Sequence, residues 1–375
     1  MPIIHSLQIQ RFRNLTAVEI ETSSRFNLFY GKNGSGKTSL LEAIYYLGLG
    51  RSFRTHLVPR LIQHDTESFS IFANLYENDR FLPLGVERLR QGDRHLKING
   101  ETAASWSPIA KQLPLRILSA MSHRFLLDGP KIRRQFLDWL LFHVEPTFFP
   151  LWQQLQQALK QRNAALKSRL PHNQISFWDE TFINAANSID QLRQQLIIEF
   201  QPVFLQVLSQ LLPEFTLQMN YYRGWGVDET LEQRLSASFS RDLQVGYTQY
   251  GPHRADLPVL LENTPAQDIL SQGQQKLVTC ALHLAQGLLL QQKTGISPIY
   301  LIDDLPAELD EGKRAVVSAT LHQLDAQVFV TGITIEELSD LADSENRALF
   351  HVEHGKIQQP RIHNATSEAR PLGSA

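Results

Sequence analysis

The chain has 375 residues, 42% of them hydrophobic and 20% charged, with a formal net charge of −2. That balance excludes a disordered or collagen-like polymer and suits two to three globular domains of about 150 residues each. Its single cysteine, Cys280, excludes an intramolecular disulfide framework, and no run reaches the roughly 18 apolar residues of a bilayer-spanning helix. The first fifteen residues carry charges where a secretory signal needs an apolar stretch, so a soluble cytoplasmic protein is the expectation.

In chain order, residues 3–30 alternate apolar and polar positions and end in the run Phe26–Tyr30, which reads as short strands with the last one central. A helix follows, with Leu40, Leu41, Ala43, Ile44 and Leu47 on its apolar side. Residues 69–98 return to strand patterns with a hairpin at Gln91-Gly92-Asp93, and Leu115–Leu118 reads as another buried strand. From about 130 to 212 glutamine and leucine dominate and glycine is absent. Leu151, Leu155 and Leu159 lie four apart. After Pro171, the positions Trp178, Phe182, Ala185, Ile189, Leu192, Leu196 and Phe200 alternate spacings of four and three. This predicts an antiparallel helical hairpin, its second helix about 39 Å long at 1.5 Å per residue, ended or kinked by Pro202. Beyond 215 the pattern is α/β again: 244–261 strand-like, 271–293 helical, and strands at Ile299–Ile302, Val328–Val330 and Leu349–Val352.

Chemistry enters at Gly31-Lys32-Asn33-Gly34-Ser35-Gly36-Lys37-Thr38, a full match to G-x-x-x-x-G-K-[ST] between a buried strand and a helix. Its glycines let backbone N–H groups and the helix N-terminus wrap a phosphate. In this pattern Lys37 reaches the β- and γ-phosphates and Thr38 coordinates Mg²⁺. Ile299-Tyr300-Leu301-Ile302-Asp303-Asp304 supplies the complementary apolar strand ending in acid. There Asp303 would hold Mg²⁺ and Asp304 would polarise an attacking water. ATP and Mg²⁺ are therefore the expected ligands. Charge is also unevenly distributed: residues 1–60 hold eight Arg/Lys against three acids, and 301–350 hold eleven acids against three bases. A basic face and an acidic, metal-facing one would produce this, as would two ordinary solvated surfaces.

Leu270-Ser271-Gln272-Gly273-Gln274-Gln275-Lys276 opens a helix about thirty residues before the acidic strand and resembles the L-S-G-G-Q signature of ABC-type ATPases. Ala307-Glu308-Leu309-Asp310 resembles that superfamily's D-loop. Along nearly its full length the chain resembles the RecF family of bacterial DNA repair proteins. The resemblance rests on Phe12-Arg13-Asn14, GKNGSGKTSLLEAIYYL, Gly50-Arg51-Ser52-Phe53-Arg54, Arg133-Arg134-Gln135-Phe136-Leu137-Asp138, Lys160-Gln161-Arg162-Asn163, Gly251-Pro252-His253-Arg254-Ala255-Asp256-Leu257 and LSQGQQK.

The resemblance implies an α/β ABC/SMC-type ATPase head with an inserted α-helical arm. The expected parts are an N-terminal lobe over 1–125, the arm over 126–214, a C-terminal lobe over 215–360 and a disordered tail over 361–375. It implies that Arg13 and Asn14 belong to the nucleotide site. Ser271, Gly273, Gln274 and Asp310 would act on the nucleotide held by a second copy, Ser271 with a catalytic role. ATP would then drive homodimerisation and slow, DNA-stimulated hydrolysis would reverse it. The family binds DNA near single-strand/duplex junctions and works with RecO and RecR to load RecA. Arg51, Arg54, Arg133 and Arg134 are the candidate DNA contacts. Two features depart from ABC ATPases in general. Thr331-Gly332-Ile333-Thr334 stands where many have a histidine, and no Q-loop glutamine is evident near 119–123. The alternatives are an ATPase subunit of a transporter and an ATP-binding clamp without significant turnover.

Overall fold

The computed structural model describes residues 2–119, 124–304, 309–339, 346–358 and 361–363. The chain separates into two compact units, residues 1–122 with 294–375, and residues 123–293.

The first unit is built on two sheets. One is mainly parallel, in the order Lys356–Ile357, Arg347–Glu353, Phe26–Tyr30, Val328–Gly332, Ile299–Asp303, Leu115–Ser119. Its central strands are mostly apolar and buried almost throughout, as strands covered on both faces must be. The other sheet is antiparallel, in the order Leu15–Glu21, Ile3–Phe12, Ser68–Glu77, Arg80–Leu89, Arg94–Ile98, Glu101–Thr102. Its strands alternate buried with half-buried or exposed residues, so one face is the more open to water. The helix Lys37–Leu49 packs against strands of both sheets, which is why it is buried nearly all round. Phe29, Phe329 and Phe350 stack beneath it within one core that also holds Leu7, Ile9 and Phe12.

The second unit is chiefly helical: Pro130–Val144, Phe148–Lys167, Asp179–Leu211, Leu231–Val245 and Gln272–Thr294, the last residue of which falls in the first unit. The helices Phe148–Lys167 and Asp179–Leu211 pack on each other as the hairpin pattern predicts. The second helix does not stop at Pro202 but continues to Leu211. A proline inside a helix costs about 3 kcal/mol. Beyond it Phe204, Val207, Leu208 and Leu211 are all buried, each contributing about 1.5–3 kcal/mol, so packing wins. The seam also differs in detail, because Arg193 is buried beside a half-buried Leu192.

Three further expectations change. Residues 244–261 are not a strand throughout: the helix Leu231–Val245 closes on Gly246, a short turn of helix spans Pro252–Arg254, and only Val259–Leu261 is extended. Arg361–His363, expected in a disordered tail, pair as a strand with Arg347–Leu349; 364–375 lie outside the described residues. The stretch expected to form one C-terminal lobe divides near Thr294, so the signature helix belongs to the same compact unit as the helical hairpin. No helix of the described residues is long and apolar enough to cross a membrane.

Candidate functional site

The loop Gly31–Gly36 leaves a central strand, Phe26–Tyr30, and enters the helix at Lys37. Gly31 has φ +151, and a Cβ there would overlap the Val352 carbonyl oxygen. Glycine is therefore required where the loop presses against the neighbouring strand. The turn after that strand clamps the loop again, Gly355 N–H donating to the Ser35 carbonyl at 2.8 Å. Asn14 holds the far side: its amide donates to the Gly34 carbonyl at 3.1 Å and its oxygen accepts from the Ser39 hydroxyl at 2.8 Å.

These residues enclose a cleft of about 270 Å³ lined by Asn14, Asn33, Gly34, Gly36, Lys37, Thr38, Ser39, Arg54 and Asp304. Lys37 is buried, and its ammonium donates to the carbonyls of Gly31 at 2.7 Å and Lys32 at 3.1 Å. That fixes the Nζ position and engages two of its three protons. Lys32 and Asn33 are exposed at the rim. Thr38 Oγ1 donates to Asp303 Oδ1 at 2.9 Å, which brings the phosphate loop and the acidic strand together.

Asp304 sits one residue beyond the strand with φ +52, a left-handed conformation uncommon outside glycine. Thr331 holds it there. The Thr331 hydroxyl accepts from Asp304 N–H at 3.0 Å and has Asp303 Oδ1 at 3.0 Å and Asp304 Oδ1 at 3.2 Å. Its one proton can serve only one carboxylate at a time. Burial raises the Asp303 pKa, and the Asp304 carboxylate adds to this; the Thr38 and Thr331 hydroxyls and the Arg54 guanidinium oppose it. Thr38 Oγ1 and Asp303 are hard oxygen donors side by side and fit Mg²⁺, which uses few protein ligands and completes its shell with phosphate and water. Among the described residues no group of three or more His, Cys, Asp or Glu could hold a metal ion by itself.

Several residues expected at the nucleotide or at DNA play other parts in the fold. Arg13 does not line the cleft: its guanidinium pairs with both oxygens of the fully buried Glu42, Nη2 at 2.7 Å from Oε1. Arg54, expected at DNA, lines the phosphate cleft with Nη1 3.7 Å from Glu42 Oε2. Arg51 is exposed. Asp310 is an exposed helix cap, accepting from Lys313 N–H at 2.9 Å and pairing with the Lys313 ammonium at 2.8 Å. The bond from the Lys313 ammonium, and then that from its N–H, hold the Asp310 pKa low. Ala307 and Glu308 of the D-loop string lie outside the described residues, as do 120–123 of the segment searched for a Q-loop. Sequence reasoning missed Glu42 and Ser52; an acidic residue in the phosphate-loop helix, otherwise apolar around it, was the available signal.

In the second unit, Ser271 and Gln274 form a reciprocal cap at the start of Gln272–Thr294. Gln274 Oε1 accepts from Ser271 N–H at 2.9 Å, and Ser271 Oγ accepts from Gln274 N–H at 3.3 Å. A Cβ at Gly273 would meet nothing within 4 Å, and Ser271, Gln272 and Gly273 are exposed at the start of this 23-residue helix. Arg133 pairs bidentately with Asp256 at 2.6 and 3.0 Å, and Arg134 donates to the Ala255 carbonyl at 2.6 Å. Both therefore brace the Gly251–Asp256 turn. Arg193 donates to Pro252 O at 2.9 Å in the same turn and pairs with Asp138. His253 Nε2 donates to the Thr248 carbonyl at 3.0 Å, and burial pushes the imidazole down to about 4. Trp225 is buried beneath the Arg223 guanidinium, and the Tyr221 hydroxyl donates to Asp190, so both are packing aromatics.

Over residues 3–358 the sequence matches the family described as RecF/RecN/SMC N terminal domain. The DNA replication and repair protein RecF of Coxiella burnetii (strain CbuK_Q154) is 59% identical over 357 residues, 95% of this chain and 99% of that protein. The protein of the same name from Vibrio vulnificus (strain CMCP6) is 44% identical over 354 residues, 94% and 98% of the two chains. The fold is similar to a RecF–ATP structure of the recombination mediator protein in the RecFOR pathway, with a TM-score of 0.84 and 26% identity over 95% of this chain and 97% of that one. It is also similar to the Smc head domain of Pyrococcus furiosus, with a TM-score of 0.60 and 16% identity over 96% of each chain. That likeness concerns the fold alone, an α/β head of the ABC/SMC ATPase type. With a family match across 356 residues and relatives covering almost every position, the chain belongs to the RecF family of DNA replication and repair proteins.

Proposed function

We propose that this protein is an ATP-switched, DNA-binding homodimer that serves replication and recombinational repair, as its relatives' names imply for them. The observation that carries the reading is the meeting in one cleft of Lys37, the Thr38–Asp303 pair and an Asp304 held at positive φ by Thr331. The loop N–H groups and Lys37 bind the phosphates of ATP; Arg54 adds positive charge at the rim. Thr38 and Asp303 would hold Mg²⁺, which would supply the charge neutralisation that phosphoryl transfer needs. Asp304 is aimed at the cleft by its strained backbone and orients the attacking water. Thr331, a neutral hydroxyl already engaged with both aspartates, offers no proton-rich group to the γ-phosphate, so turnover is slow.

Ser271 and the open N–H groups at Gly273 complete the site of a second copy, which makes ATP the glue of a dimer and hydrolysis its release. RecO and RecR are the expected co-workers in loading RecA. Of the four candidate arginines for DNA, Arg51 is the one we retain as a phosphate contact. Arg54 belongs to the nucleotide cleft, and Arg133 and Arg134 to the internal turn.

Sedimentation of the protein with Mg²⁺ and no nucleotide, ADP or ATP, with and without gapped DNA, tests the reading. The expected result is a dimer only with ATP, tightened by DNA and absent in Lys37→Ala. An ATP affinity unchanged in Lys37→Ala would sink the site assignment; a species indifferent to ATP would sink the switch.

A further inference from the structure

We infer that Glu42 and Ser52 are positioning residues that hold Arg54 at the phosphate cleft. The inference rests on the nucleotide reading above and extends it to residues outside the motif. Glu42 lies in the helix that begins at Lys37 and is fully buried. An unpaired carboxylate could not be tolerated there. Arg13 satisfies it side-on, Nε donating to Oε2 and Nη2 to Oε1, and the Ser52 hydroxyl donates to the same Oε1. Ser52 Oγ in turn accepts from Arg54 N–H at 2.9 Å and Thr55 N–H at 3.0 Å. The hydroxyl thus uses its one proton and both lone pairs. The result is a continuous chain from the phosphate-loop helix, through Glu42 and Ser52, to the backbone that carries Arg54.

Charge points the same way. Arg13 takes the bidentate geometry, so Arg54 Nη1, at 3.7 Å from Oε2, is held near Glu42 without being consumed by it. Two arginines around one carboxylate leave one positive charge in excess, and Arg54 is the one that lines the cleft. Its side chain is 47% exposed. A free arginine there would lose appreciable rotamer entropy on gripping a phosphate. Fixing its backbone and its charge partner beforehand lowers that loss. Lys37 and Glu42 sit on one rigid helix, so the two cations facing the phosphates share one frame.

The test is a double-mutant cycle on ATP affinity, measured by titration calorimetry with Mg²⁺ on the full chain, with thermal unfolding as a fold control. Arg54→Ala and Ser52→Ala are each expected to weaken ATP by about tenfold, the loss of one charge-assisted contact. The double variant is expected to bind no more weakly than Arg54→Ala alone, and Ser52→Thr, which keeps the hydroxyl, to recover wild-type affinity. Full additivity of the two losses, or wild-type affinity in Ser52→Ala or Arg54→Ala, overturns the inference. Lys37→Ala in the same titration separates this from failure of the nucleotide reading. Wild-type affinity in Lys37→Ala overturns both, whereas its loss alongside an unaffected Ser52→Ala overturns the positioning role only.

Discussion

The two compact units hold cations put to opposite uses. In the first, a cation is kept available: Lys37 is anchored by two carbonyls and Arg54 stands near a carboxylate already satisfied by Arg13. In the second, Arg133, Arg162 and Arg193 are each closed on an internal aspartate. Both patterns look alike in a list of basic residues. What separates an anion site from a brace is the acceptor on the other side, and that is a property of the fold. The comparison can be broken or sharpened by altering the braces, which should affect folding, and the open groups, which should affect ligands.

The largest effect is expected at Arg162. It is fully buried, with Nε 2.7 Å from Asp179, Nη1 2.9 Å from the equally buried Asp242, and Nη1 2.7 Å from the Thr248 hydroxyl. Arg162→Met keeps the packing volume but strands the Asp242 charge. Removing one partner of such a pair costs about 3–5 kcal/mol. Urea unfolding of the variant should show a loss in that range; a change below about 1 kcal/mol would mean that Asp242 finds water and that the brace is ornamental.

The division between braces and open groups also marks how much the sequence alone discloses. The phosphate loop and acidic strand are readable because their spacing and their strand–loop–helix context are local. The hydrophobic alternation of 3–30 and 69–98 specifies sheets for the same reason. Pro202 misleads because a local helix rule is outweighed by the apolar stripe at Phe204, Val207, Leu208 and Leu211. Arg133 and Arg134 look like DNA contacts because Asp256 and the Ala255 carbonyl lie more than 120 positions away. Glu42 shows in sequence only as an acid in an otherwise apolar stretch, and its role is hidden for the complementary reason: its partners Arg13 and Ser52 flank the motif on both sides, and only the sheet–helix packing makes them neighbours. Asp304's positive φ is only weakly signalled, since aspartate visits that region more readily than most residues, yet Asp303 beside it stays in the strand.

A smaller effect is expected from His253, which lies beside the braces and carries no charge of its own. Its imidazole is pushed from 6.5 down to about 4 mainly by burial, with Arg254, Arg134 and Arg162 adding repulsion and the bond to Thr248 opposing. Above pH 6.5 it is neutral whether the chain is folded or not. Between about 6.5 and 4 the unfolded chain takes up a proton that the native one refuses, so stability falls as pH falls, by about 3 kcal/mol at most. Below 4 the slope from this group vanishes. His253→Gln keeps a donor for the Thr248 carbonyl but cannot titrate, so its stability should fall less steeply than that of the parent across this window. Parallel curves for the two proteins, from urea unfolding at pH 7, 6, 5 and 4.5, would remove His253 from the account.

The smallest effect on stability should come from Ser271, at the exposed start of the helix Gln272–Thr294, and there it separates two roles. The hydroxyl caps the helix Gln272–Thr294 through Gln274 N–H, and in the proposed dimer it also meets the phosphate of the other copy. Ser271→Ala loses both and should cost about 1 kcal/mol of stability together with the ATP-dependent dimer. Aspartate caps a helix as well as serine does but sets a negative charge against a phosphate. Ser271→Asp should therefore unfold at the wild-type denaturant midpoint and still fail to dimerise with ATP, while binding ATP to its own loop normally. Unfolding and sedimentation on the same preparations check both halves. A Ser271→Asp protein that dimerises normally would show the residue to be a cap alone, and would place this helix end with the braces of its unit.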